Sequence, residues 1–172
     1  HEPLPDGGRR QDPGRGPPVG PRELLPLGAG VVVRQPVRGG DGPVGGFGRR
    51  EVVVRVNDLD SPWGEDDVKA VAGIGADAIL FPNVESRADV QQALAALDAA
   101  GGRHLPVMVM IESPLGVLRA EEIASASDRI ACIVMATSDL ITQLHARRTP
   151  DRIALHYSLS RVLLAGRAFD RS

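Results

Sequence analysis

Three residues in this 172-residue chain have the types and spacing to act together chemically: Arg55, Glu112 and Asp139. With Pro82 they fall at intervals of 27, 30 and 27 residues, about the length of one strand-plus-helix unit. In parallel α/β sheets the C-terminal strand ends are where side chains from successive units converge. Two carboxylates on such a rim, beside open space, form a hard oxygen-donor site of the kind Mg²⁺ takes, with waters and substrate oxygens in its other positions. A metal held there polarises a carbonyl and stabilises an enolate. Arg55 would offer a bidentate fork to a substrate carboxylate or oxo group. The set suits C–C cleavage or condensation beside a carbonyl. Spacing alone equally admits a structural alternative, with Glu112 capping a helix N-terminus, Asp139 in a turn hydrogen bond and Arg55 paired with a surface acid.

The elements that would position these residues are legible from Glu51 onward. Four short apolar runs, Val52–Val56, Ala78–Phe81, Val107–Ile111 and Ile130–Met135, are nearly continuous in apolarity, as strands covered on both faces are. Amphipathic segments lie between them. Ser61-Pro62 before Glu65 reads as an N-cap with proline in the first turn, leading into Asp66–Ala72. Ser86 with Asp89 resembles a capping box, followed by Val90, Ala93, Leu94 and Leu97 on one helical stripe and stopped by Gly101-Gly102. Ser113-Pro114 opens a helix carrying Val117, Leu118 and Ile123. Thr149-Pro150 opens the last, with Leu155, Leu159, Val162 and Leu163 on a shared face. Alternating strands and helices of this kind predict parallel βα units.

Composition divides the chain. Residues 1–50 hold 13 Gly and 9 Pro, against 7 and 5 in residues 51–172. That share without a three-residue period marks disordered or low-complexity chain, in which only Leu24–Leu27 and Val31–Val33 could seed local structure. The chain begins with His1 and uses 19 Arg to one Lys, as a GC-rich coding sequence would, so the segment also reads as an aberrant, out-of-frame N-terminus. The formal charge of −2 gives no basis for nucleic-acid binding. No apolar run of spanning length and no basic-plus-apolar leader is present, and the single Cys132 makes no internal disulfide, so a reducing, cytoplasmic setting is the expectation.

Four stretches carry a resemblance: Arg55–Asp67 with its Arg-Val-Asn opening, Pro82–Ser86, Met110–Val117 and Thr137–Leu140. In this order they resemble the citrate lyase β-subunit-like branch of the HpcH/HpaI aldolase superfamily, which includes the malyl-CoA lyases. The resemblance implies an α/β fold, a partial TIM (β/α)8 barrel of the phosphoenolpyruvate/pyruvate type with strands three to six recognisable. It further implies a Mg²⁺-dependent carbon–carbon lyase acting on an acyl-CoA thioester such as citryl-CoA or malyl-CoA to give an acyl-CoA and an oxo acid, as a homotrimer or hexamer. Carried over residue by residue, Arg55 binds the oxo acid or substrate carbonyl, and Glu112 and Asp139 hold the metal, with Glu112 also facing substrate. Two rival readings are a catalytically inactive truncated fragment and a CoA-independent pyruvate-type aldolase.

The departures from the pattern are Asn83, where the family has lysine, and Ala136, where it has glycine. The first two strands, the acidic motif after the second, and a C-terminal acid that some members give to a neighbouring subunit have no counterpart. Among other residues, Glu85 reads either as an indirect support to the site or as a helix-entry acid interacting with the dipole. Trp63 reads as covering a ligand or packing under its loop, and Cys132 as a small buried hydrophobe. His104, His145 and His156 share no metal spacing, and His145 is the one placed near the site. Arg147-Arg148 could meet CoA phosphates or stand as solvated charges. Gly39–Gly48 shows no phosphate-loop pattern.

Overall fold

The computed structural model describes residues 51–172 and the backbone of residues 30–33. Five strands share one sheet in the order β1 (Gly30–Val33), β2 (Val52–Arg55), β3 (Ala78–Phe81), β4 (Val107–Ile111) and β5 (Ile130–Met135). From β2 to β5 every pairing is parallel, as the unit spacing predicts. β1 runs antiparallel to β2, with Gly30 opposite Arg55. The Val31–Val33 run thus lies beside β2 and antiparallel to it, unlike the strands of a parallel barrel. Apart from this strand, the expectations for residues 1–50 lie outside the described residues.

The helices follow the strands as α1 (Gly64–Gly73), α2 (Arg87–Ala99), α3 (Pro114–Leu118), α4 (Ala120–Ala124), α5 (Thr137–Gln143) and α6 (His156–Ala168). Strand alternation sends Val52, Val54, Ile79, Phe81, Val107, Val109, Ile111 and Ile130 to the helix-covered face, into one core with Val68, Val90, Leu97, Ile123 and Val162. The opposite face carries Val53, Ala78, Leu80, Met108 and Cys132, flanked by Met110 and Val134. Cys132 reaches that face through a bulge: Val107 pairs with Ile130 but Met108 with Cys132, so Ala131 is an extra residue that shifts the alternation by one. By the same alternation Arg55 lies on the face of Val53, and Glu112 on the face of Met108 and Met110, both at the C-terminal rim.

Several helix expectations hold in detail. Ser86 accepts from Asp89 N–H, while the Asp89 carboxylate accepts from Glu85 N–H at 2.8 Å. Gly101 closes α2 in a left-handed conformation at φ +79°. Ser113 Oγ accepts from Gly116 N–H at 3.1 Å with Pro114 opening the helix.

Others need correction. Ser61 does not cap α1, because its hydroxyl donates to the Asp58 carbonyl in a preceding turn. Trp63 takes the cap position without a side-chain bond and is 51% exposed, so it does not pack under the loop. Acidic residues in the first turn of α1 supply the favourable dipole interaction instead. The helix opened by Pro114 breaks after Leu118, where Arg161 donates to the carbonyls of Val117 and Leu118, and Leu118 faces solvent. The last helix starts at His156 rather than Pro150, after a 3-10 turn over Ile153–Leu155, and Leu163 is exposed.

Candidate functional site

Each candidate occupies a defined point on the rim. Arg55 is the last residue of β2 and pairs in register with Leu80. Glu112 directly follows β4. Asp139 lies in the first turn of α5, a short helix without a predicted counterpart among the amphipathic segments; buried Leu140 anchors that turn to the core. The three are brought together electrostatically: both Asp139 and Arg55 act on the Glu112 carboxyl. Partial burial, chiefly, and then the Asp139 carboxylate with its hydrogen bond push that carboxyl above the usual carboxylate range, against the Asn83 N–H and Arg55, which favour the charged form. Glu112 does not cap a helix, since Ser113 holds that role.

Backbone and side-chain tethers hold the rim. Asn83 N–H donates to Glu112 Oε1 at 3.2 Å, and Asn83 Nδ2 donates to Asp58 Oδ2 at 2.8 Å. Gln143 at the end of α5 donates through Nε2 to the Glu112 carbonyl at 3.4 Å. Two residues past Arg55, Asn57 is tethered to fully buried Asp67 of α1, whose Oδ2 accepts from Asn57 N–H at 2.8 Å and from Asn57 Nδ2 at 2.7 Å. Sequence reasoning missed Asp67. An aspartate beside Val68 and Val71, on the buried side of an amphipathic helix, was the available signal. A cleft of about 360 Å³ flanks the rim, lined in part by Asp58, Asp60, Asn83, Glu85 and Asp89. Glu85 thus lines a cleft at the entry of α2 and is not linked to Glu112 by a hydrogen bond. Cys132 is buried within β5, and His145 sits in the left-handed region at φ +50°, beyond α5.

The donor set fits a hard divalent cation. Glu112 is held toward its neutral form chiefly by partial burial and secondarily by the Asp139 carboxylate, and a cation between the two carboxylates would favour the charged form. Among the described residues no group of three or more His, Cys, Asp or Glu side chains converges, so water and substrate oxygens would complete the shell of any metal held here. Also among the described residues, no helix is long and apolar enough to cross a membrane.

Parallel βα units with an arginine and a carboxylate pair on one strand-end rim define part of an aldolase-type α/β barrel. The HpcH/HpaI aldolase/citrate lyase model matches residues 47–171, and the chain belongs to that family. It is 48% identical over 122 residues to a (3S)-malyl-CoA thioesterase of Cereibacter sphaeroides, a match covering 71% of this chain and 41% of that relative. It is 36% identical over 124 residues to the citrate lyase subunit beta of Escherichia coli, covering 69% and 41%. The fold matches the citrate lyase beta subunit of M. tuberculosis complexed with oxaloacetate and magnesium, with TM-score 0.57, 29% identity, and coverage of 69% of this chain and 51% of that one. The chain therefore spans less than half the length of the curated relatives it matches.

Proposed function

We propose that this chain carries the metal and oxo-acid half of a Mg²⁺-dependent carbon–carbon lyase acting on a 3-hydroxyacyl-CoA such as malyl-CoA or citryl-CoA. The observation that carries the reading is the placement of Arg55 at the end of β2, Glu112 directly after β4 and Asp139 in the first turn of α5, on one strand-end rim. Glu112 and Asp139 would hold Mg²⁺, which when bound supplies Lewis acidity to the charge that develops on the substrate oxygens. Arg55 binds and orients the oxo-acid end through its planar fork. In cleavage the hydroxyl gives up its proton and its carbon becomes the oxo carbon. The C–C electron pair stays with the acyl-CoA fragment, which then takes up a proton. The magnesium and oxaloacetate of the M. tuberculosis relative support this assignment. A cytoplasmic homo-oligomer, trimer or hexamer, belongs to the same reading and is measured by light scattering.

A second reading, thioester hydrolysis, is favoured by the thioesterase name of the 48% identical relative. One assay separates the two. Malyl-CoA is supplied with Mg²⁺, and free thiol and glyoxylate are followed together. Cleavage yields glyoxylate with the thioester intact, whereas hydrolysis yields free CoA thiol and no glyoxylate. For the metal site itself, Mg²⁺ with an oxo acid should raise the thermal unfolding temperature, and Glu112→Gln or Asp139→Asn should abolish the rise. At a concentration 100 times Kd the stabilisation is about 2.7 kcal/mol, and no shift in folded protein refutes the site.

A further inference from the structure

Asn83 combines a strained backbone, a tether and a contact to a candidate ligand. Its φ of +54° lies in the left-handed region, which most side chains disfavour and which asparagine and glycine tolerate. That conformation aims its own N–H at Glu112 Oε1, 3.2 Å away. Its amide is fixed in turn by donating to Asp58 Oδ2 at 2.8 Å. The residue thus spans three loops, those after β2, β3 and β4. Because the side chain is neutral, it leaves the charge of the carboxylate pair intact for a cation.

We propose that Asn83 is the positioning residue for Glu112: its left-handed backbone, anchored on Asp58, occupies one carboxylate oxygen and turns the remaining lone pairs toward Asp139 and a divalent cation. This rests on the reading of Glu112 and Asp139 as the metal pair. A side chain that disfavours positive φ moves the N–H away and costs metal affinity, whereas glycine keeps the N–H and access to the conformation but loses the anchor on Asp58.

The test is Mg²⁺ titration by calorimetry on the metal-free full chain, with amide NMR alongside. Asn83→Val should weaken Mg²⁺ binding by about tenfold or more, while Asn83→Gly, which keeps the left-handed conformation accessible but loses the Asp58 anchor, should weaken it less, to about the same degree as Asp58→Ala. In the metal-free wild type the Asn83 amide proton should resonate downfield and move upfield in Glu112→Ala. A wild type that binds no Mg²⁺ overturns the metal reading and this proposal with it. Wild-type binding that Glu112→Gln abolishes but Asn83→Val leaves unchanged overturns the positioning role alone. If Asn83→Val does not fold, the amide decides: an Asn83 proton unmoved by Glu112→Ala overturns the proposal.

Discussion

Removing the Asp67 carboxylate tests whether the Asn57 corner after β2 is held by charge. Asp67 is fully buried, and its Oδ2 accepts both the backbone and the side-chain N–H of Asn57, at 2.8 and 2.7 Å. Its Oδ1 has no hydrogen-bond partner among the described residues. Hydrogen bonds to a charged group contribute about 1.5–3 kcal/mol each, so the pair is worth about 3–6 kcal/mol before the desolvation of the carboxylate is subtracted. Asp67→Ala deprives two Asn57 donors of this acceptor, at about 1–3 kcal/mol for each donor left unsatisfied, and leaves a small void, so it should cost about 2–6 kcal/mol. Asp67→Asn keeps one oxygen for Asn57 but places an amide N–H where Oδ1 lies; its cost should be about 1–3 kcal/mol. Against a typical total of about 5–15 kcal/mol, the alanine variant approaches the limit of folding. Urea unfolding monitored by far-UV circular dichroism, with m compared across the three proteins, reads both costs. An alanine variant within about 1 kcal/mol of wild type, or an asparagine variant worse than alanine, would refute the charge-held corner.

Further outcomes follow from the same geometry. The Glu112 carboxyl is raised, so the folded chain holds its proton more tightly than the unfolded chain does. Its contribution to stability is present below the unfolded carboxyl value and is lost as pH rises through the folded one. Metal-free Glu112→Gln should therefore melt at or above wild type near neutral pH, with the gap closing in acid; a lower melting temperature at neutral pH counts against it. Gly64→Ala would place a Cβ 2.7 Å from Leu59 Cα, against backbone that cannot swing aside, and should cost about 1–3 kcal/mol or more by calorimetric unfolding. Ser86→Ala should cost about 0.5–2 kcal/mol in the same measurement through loss of the α2 cap, and Ser86→Thr should restore most of it.

The parallel strands were legible because buried strands read as unbroken Val and Ile runs, and observed and expected bounds differ only at Val56. The α2 boundaries were legible because each has a local chemical cause, Ser86 at one end and Gly101 at the other. The failures share a different cause. Ser61, Leu118 and the start of α6 depend on partners far in sequence or on competing turns: the Asp58 carbonyl, Arg161, and the 3-10 turn ahead of His156. α5 was missed because seven residues hold only two turns, too few for a periodic stripe. Of the site, the residue types and their interval were visible. The tethers were not, because Asn83 donates to Glu112 through its backbone, which no side-chain pattern encodes.

Those tethers explain why the interval matters physically. Asn83 to Asp58 spans 25 residues, Asn83 to Glu112 spans 29, and Gln143 to Glu112 spans 31, so each link joins one βα unit to the next. The rim is therefore fixed by neighbour-to-neighbour hydrogen bonds laid over neighbour-to-neighbour strand pairs, and Glu112 sits where two of them meet. Loss of the Asp58 tether should loosen Asn83 first and Glu112 only through it, while loss of Gln143 should act on the Glu112 backbone from the other side. Because the two routes reach Glu112 through different atoms, their effects on Mg²⁺ affinity should add in the double variant, whereas Asp58→Ala combined with Asn83→Val should cost no more than Asn83→Val alone. Additivity in the second pair would mean that Asp58 acts on the cation directly, through the charge it adds to the rim, rather than by holding Asn83.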